Sequence, residues 1–233
     1  MRESLIIAKK DLHTEFRTKQ MINSMLIFAI IVVVIFNFAF SELLQDQSNA
    51  TNNADGLVNY LAPGILWIAF IFTGMLGLSR SFISEKDRNC LEGIMLCPMS
   101  RNAIYLGKVI SNLVLMFIVE IVTLFVFAIF FNYNLFDKIL LLLPVFILGT
   151  FGFIIVGSLL SAISMSARNR EVLLPLLLFP ILIPVIISAV VATGIILQDG
   201  SFSEILDNLR LLGAYDIIFF VIGLLTFEYV VED

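Results

Sequence analysis

Apolar residues gather along this chain into six long runs, at about 21–40, 61–78, 104–131, 139–165, 172–197 and 211–230, with short polar segments between them. A helix needs about 20 mostly apolar residues to cross a hydrocarbon layer, and each run is close to that length or longer. A bilayer offers the backbone no hydrogen-bond partners, so runs of this kind satisfy their own amides as helices. The pattern therefore predicts an all-α integral membrane protein with six transmembrane helices. The longest polar gaps, 41–60 and 79–103, leave no room for a large soluble domain. Ahead of the first run, Leu5, Ala8, Leu12 and Phe16 recur at helical spacing, while Lys9, Lys10, Glu15, Arg17 and Lys19 cover the other faces. Two readings fit residues 1–20: an amphipathic helix lying in the membrane interface with its cations against anionic head groups, or a solvated charged leader. A signal peptide does not fit, because the following apolar run is too long and lacks a small-residue cleavage site.

Composition agrees with the pattern. Of 233 residues 60% are apolar and 14% charged, and the mean hydropathy is +1.02. A soluble domain carries about 25% charged residues, so too few remain here to build a water-facing surface. The net charge of −5 says little until the basic residues are placed. Arg2, Lys9, Lys10, Arg17 and Lys19 precede the first run. Arg80, Lys86, Arg88, Arg101 and Lys108 surround the second gap, and Arg168 and Arg170 the fourth. The alternate gaps hold only Lys138 and Arg210. This asymmetry places the N-terminus, the second and fourth gaps and, by parity, the C-terminus in the cytoplasm. Residues 21–233 then form one permease-like domain. Cys90 and Cys97 match no zinc spacing and read as two reduced thiols.

The familiar catalytic patterns are missing. Gly107-Lys108 has neither an upstream glycine at 102 nor a following Ser or Thr, so no phosphate-cradling loop exists there. The one histidine, His13, sits in the leader, which excludes a His-based hydrolase inside the membrane. No metal-ligand set is apparent. Axial haem ligation by Met alone would be weak, so haem ligands, if any, belong on another subunit.

Three features remain. The segment 80–103 opens with Glu85-Lys86-Asp87-Arg88 and continues with Leu91, Glu92, Gly93, Ile94, Met95 and Leu96 up to Pro98. A short amphipathic helix there suits either a docking surface for a soluble partner or an ordinary interfacial connector. Glu120 lies inside the third run, with Asn112 two turns before it on the same face. A carboxyl at that depth belongs in the bundle interior, a cavity or a dimer contact, as part of a substrate path or as a packing hydrogen bond. Pro175, Pro180 and Pro184 lie in the fifth run, as a moving hinge or as static kinks, the commoner case.

Several blocks in order give the chain a resemblance. They are Lys10-Asp-Leu-His-Thr-Glu-Phe-Arg-Thr-Lys19, Ala62-Pro-Gly-Ile-Leu-Trp-Ile-Ala-Phe70, Glu92-Gly-Ile-Met-Leu-Cys-Pro98 with Ala103-Ile-Tyr-Leu-Gly-Lys108, and Arg170-Glu-Val-Leu-Leu-Pro-Leu-Leu-Leu-Phe-Pro-Ile-Leu-Ile-Pro-Val185. Together they resemble the CcmB family, the membrane permease component of the haem-exporter complex of cytochrome c maturation, within the ABC-2-type permeases. The resemblance implies a separate cytoplasmic ABC ATPase that carries the ATP, seated on a coupling helix around Glu85 to Gly93. It also implies two copies of the chain, a haem-handling membrane subunit and a periplasmic haem chaperone, in the cell inner membrane and without nucleic acid. No cofactor is expected on this chain itself, and it is not expected to be an enzyme. A general ABC-2 exporter of a lipid-linked or drug-like substrate, and a membrane scaffold that moves nothing, are the rival readings.

Overall fold

The computed structural model describes residues 2–50, 54–87, 100–132, 136–164 and 170–230. Among these, seven α-helices follow one another without a strand: α1 (Arg2–Thr18), α2 (Gln20–Ala50), α3 (Ala54–Asp87), α4 (Arg101–Phe130), α5 (Ile139–Ser164), α6 (Arg170–Leu197) and α7 (Phe202–Val230), with a 3-10 turn at Phe136–Lys138 before α5. Six of them hold apolar segments long enough to cross a membrane: Gln20–Phe40, Val58–Ser81, Arg101–Phe130, Ile139–Ser164, Val172–Leu197 and Phe202–Glu228. The chain is a multi-pass membrane protein.

The helices outrun the apolar runs that announce them. α2 continues to Ala50 and α3 begins at Ala54, so most of the expected first gap is helical. Residues 41–50 contain neither Gly nor Pro, and six of the ten are Leu, Glu, Gln or Ala, so no strong breaker stops the helix where the apolar stretch stops. α7 starts nine residues before the expected 211, at a capping box. There Glu204 accepts the backbone N–H of Ser201 at 3.2 Å and its hydroxyl at 2.6 Å.

α1 is set apart from α2 by a corner at Lys19, whose φ of 53° is left-handed. Glu15, in the last turn of α1, accepts the first backbone N–H groups of α2, Met21 at 2.7 Å and Ile22 at 2.9 Å. A carboxylate against a helix N-terminus satisfies orphan donors and complements the dipole.

α3 and α5 are the inner helices. Each touches four other spans, α3 against α2, α4, α5 and α6, and α5 against α3, α4, α6 and α7. Lipid tails are as apolar as leucine, so close packing rather than a hydrophobic drive holds such helices together. α5 supplies small residues for it. Trp67 of α3 lies on Gly149, Asp216 of α7 on Gly152 and Leu78 of α3 on Gly157, each so close that a Cβ would collide. Around the first contact Trp67, Phe70 and Phe146 form a cluster with ring centroids 5.7–6.0 Å apart. Ile27, Ile31 and Ile35 of α2 and Ile183 and Ile187 of α6 face outward.

Candidate functional site

The polar groups inside the bundle form a broken seam centred on α4 and α5. It begins at the end that carries α1. Lys108, two turns into α4, is 3% exposed and pairs with Asp11 of α1 at 3.0 Å. Its Nζ also donates to the Ser81 carbonyl of α3 at 3.2 Å. One cation thus joins three helices. The sequence places Lys108 among the charges of a loop, but it is a buried tie inside a helix. Beside it, Arg101 donates to the Glu228 carbonyl at 3.1 Å, bringing the start of α4 to the end of α7.

Farther in, Tyr105 donates to the Ile155 carbonyl at 3.0 Å, and Ser161 donates to the Leu78 carbonyl at 2.7 Å. The two intramembrane polar residues singled out in the sequence both lie buried toward α5. Asn112 donates to the Ser158 hydroxyl at 3.3 Å, and the Thr150 hydroxyl donates to the Glu120 carboxyl. Facing a neighbouring helix spares both side chains the cost of meeting lipid. Between α3 and α6 the Trp67 indole donates to the Thr193 hydroxyl at 3.0 Å, and that hydroxyl in turn donates to the Ala189 carbonyl at 2.7 Å.

Asp216 is the functional candidate that sequence reasoning missed. It sits near the middle of the span of α7, is 4% exposed, and neither carboxyl oxygen has a hydrogen-bond partner. Its neighbour Tyr215 donates to the Ile181 carbonyl of α6 at 3.1 Å. The pair therefore stands between α5, through Gly152, and α6, through the Ile181 carbonyl. The signal was available: an acid inside the sixth apolar run is the same kind of observation as Glu120 inside the third.

α6 runs unbroken through Pro175, Pro180 and Pro184. Pro180 and Pro184, four residues apart, share its outward face. Tyr215 reaches the carbonyl three residues before Pro184, in the turn where a proline disturbs the helical ladder.

In the segment expected to dock a partner, α3 carries the backbone of Glu85, Lys86 and Asp87 in its last turns. Arg88, Leu91, Glu92 and Gly93 lie outside the described residues. Among the described residues no group of three or more His, Cys, Asp and Glu could hold a metal ion. At the other end of the bundle, Lys138 donates to the Leu197 carbonyl at 2.6 Å and pairs with Asp199 at 2.8 Å, closing the last turn of α6. The arrangement ties neighbouring helices together through a few buried polar contacts. Among the described residues it brings no nucleophile together with a base.

Comparison with known proteins places this architecture. Residues 2–232 match the family described as CcmB protein. A protein named "Heme exporter protein B" from Pseudomonas aeruginosa is 26% identical over 184 residues, covering 79% of this chain and 77% of the relative. Its namesake from Haemophilus influenzae is 27% identical over 187 residues, covering 79% and 78%. The relative of that name from Escherichia coli K12 is 29% identical over 106 residues, 46% of this chain and 43% of the relative, so the chain spans less than half of its length in that match. Matched from its first helix to its last, this six-span chain belongs to the CcmB family.

Proposed function

We propose that this chain is the membrane permease subunit of an ABC transporter in haem delivery for cytochrome c maturation. The observation that carries the reading is the family match over 2–232, which takes in all six spans. The relatives' printed name, a haem exporter, supports the cargo.

In this reading the end bearing α1 faces the cytoplasm of the cell inner membrane. A separate ATPase seats on Glu85, Lys86, Asp87, Arg88, Leu91, Glu92 and Gly93 and supplies ATP turnover that the chain has no phosphate loop to perform. Two copies of the chain stand beside a haem-handling membrane subunit, which loads a periplasmic haem chaperone. This subunit transmits movement rather than ligating haem. The spans contain no histidine, and their buried methionines are engaged in packing, Met25 over Gly77 and Met116 over Gly74.

The test is recovery of the tagged chain from its native membrane in mild detergent, with partners identified by mass spectrometry. An ABC ATPase together with a haem-handling membrane subunit supports the reading. An ATPase alone points to a general ABC-2 exporter, and neither partner points to a scaffold. Glu85→Ala with Arg88→Ala should leave membrane insertion intact and weaken ATPase recovery. Undiminished recovery would remove the docking assignment.

A further inference from the structure

Two acids, Glu120 and Asp216, lie near the middle of their spans, and both approach the middle of α5. Glu120 of α4 meets the Thr150 hydroxyl, and Asp216 of α7 lies over Gly152. Thr150 and Gly152 are two residues apart, so at about 100° per residue they sit at nearly one depth on opposite sides of α5. Their environments differ in one respect. Thr150 gives Glu120 a donor, whereas Gly152 has no side chain to offer Asp216.

Nothing else supplies what Gly152 lacks. The helices packed on α7 are α4, α5 and α6. α5 has no titratable side chain from Ile139 to Ser164, and α6 none from Val172 to Leu197. On α4, Arg101 reaches the Glu228 carbonyl, Tyr105 the Ile155 carbonyl and Lys108 Asp11, all away from Asp216. On α7 itself, Tyr215 donates to the Ile181 carbonyl, Arg210 pairs with Asp207, and Glu204 caps the helix start. Among the described residues no hydrogen-bond donor meets either Asp216 oxygen. A bare carboxylate in apolar surroundings is costly, while the same group with its proton packs as a small uncharged side chain.

We propose that Asp216 is a proton-binding site inside the bundle, and that it holds its proton only while α7 rests on Gly152. With the proton, the carboxyl fills the space that the missing Cβ leaves on α5. Without it, the carboxylate needs water, and α7 has to come off α5 to find it. The proton passes to that water as α7 opens and returns as it closes. Tyr215 keeps α7 on α6 through the Ile181 carbonyl, so the separation opens at Gly152 rather than freeing the helix. Ile217 and Ile218 are exposed on the outer side of α7, so no described helix of the chain stands in the way.

The test begins with infrared spectra of the full chain in dodecyl maltoside, a detergent with no carbonyl of its own. At neutral pH the parent should show the C=O stretch of a protonated carboxyl, shifted in heavy water. Asp216→Asn should remove one component of that band, and Glu120→Gln should leave the same component in place. A band unchanged by Asp216→Asn would show an ionised carboxyl and overturn the proposal. The second measurement is thermal melting of the parent and Asp216→Asn across a range of pH, the amide keeping an uncharged shape throughout. The packed state holds one proton more than the opened state, so each pH unit in that range should favour opening about tenfold. Relative to the variant, the parent's melting temperature should therefore fall as the pH rises toward loss of the band. Parallel melting profiles for the two proteins would also overturn the proposal, because the packing of α7 would then be indifferent to the proton.

Discussion

Glu120 and Thr150 offer a direct test of how polar pairs work inside this bundle. Both are buried, on facing helices, and the Thr150 hydroxyl donates to the carboxyl. Thr150→Val keeps the shape of the side chain and removes the donor, leaving a buried carboxyl short of a partner. Such a loss costs about 1–3 kcal/mol, more than the hydrogen bond itself contributes. Glu120→Leu removes the acceptor instead. The freed threonine can turn its hydroxyl to a carbonyl of its own helix, as helical threonines do, so the cost should stay below about 1 kcal/mol. Removing both partners leaves nothing unsatisfied, and the double variant should lie within about 1 kcal/mol of the parent. The cycle then gives a coupling of about 1–2 kcal/mol, near the upper end of values measured between membrane helices. Reversible unfolding of the full chain in mixed micelles reads the four free energies. At about 2–4 °C per kcal/mol for a chain of this size, melting temperatures give the same order. A Thr150→Val variant as stable as the parent, or a double variant that loses the sum of the two singles, would refute the argument.

Four further outcomes follow from contacts elsewhere in the bundle. Asp216→Asn should not lower the melting temperature, because the carboxyl has no hydrogen bond to lose; a drop of several degrees in a thermal melt would reveal a donor that meets it. Gly149→Ala should cost about 1–3 kcal/mol, since the added methyl enters the Trp67 ring, and quenching or a shift of the single tryptophan's emission should report the displacement. Lys138→Met should destabilise by about 1 kcal/mol through the lost carbonyl bond at the end of α6. Asp199→Asn, which removes only an ion pair to an 82% exposed carboxylate, should change stability by less than about 0.5 kcal/mol in the same melt.

The spans were legible because the bilayer leaves the sequence little freedom: an apolar run of sufficient length has one way to satisfy its backbone. Helix ends were less so. Residues 41–50 are polar enough to read as a gap, yet no residue among them terminates a helix, and hydropathy alone does not see that difference. The start of α7 had a signal in Ser201-Phe-Ser-Glu204 that an apolar window starting at 211 passed over. Lys108 could not be placed from its neighbours, since its burial depends on Asp11, which another helix brings to it. Which partner each glycine of α5 receives is likewise a tertiary fact. Asn112 and Glu120 stood out as polar residues in an apolar run, and Asp216 would have under the same test.

The length of α3 has a mechanical meaning. Its 34 residues amount to about 51 Å of helix at about 1.5 Å per residue, well beyond the hydrocarbon layer. Its one proline, Pro63, lies far from the charged end, so 24 residues from Gly64 to Asp87 form an uninterrupted rod. Packing against four other spans resists bending of this rod under a load applied at Asp87. Moving as a piece, it carries the Trp67 ring, which lies against α5 and is bonded to α6. A push at one face of the membrane would therefore arrive toward the other as a shear between α5 and α6, with Gly149 as the bearing on which it turns.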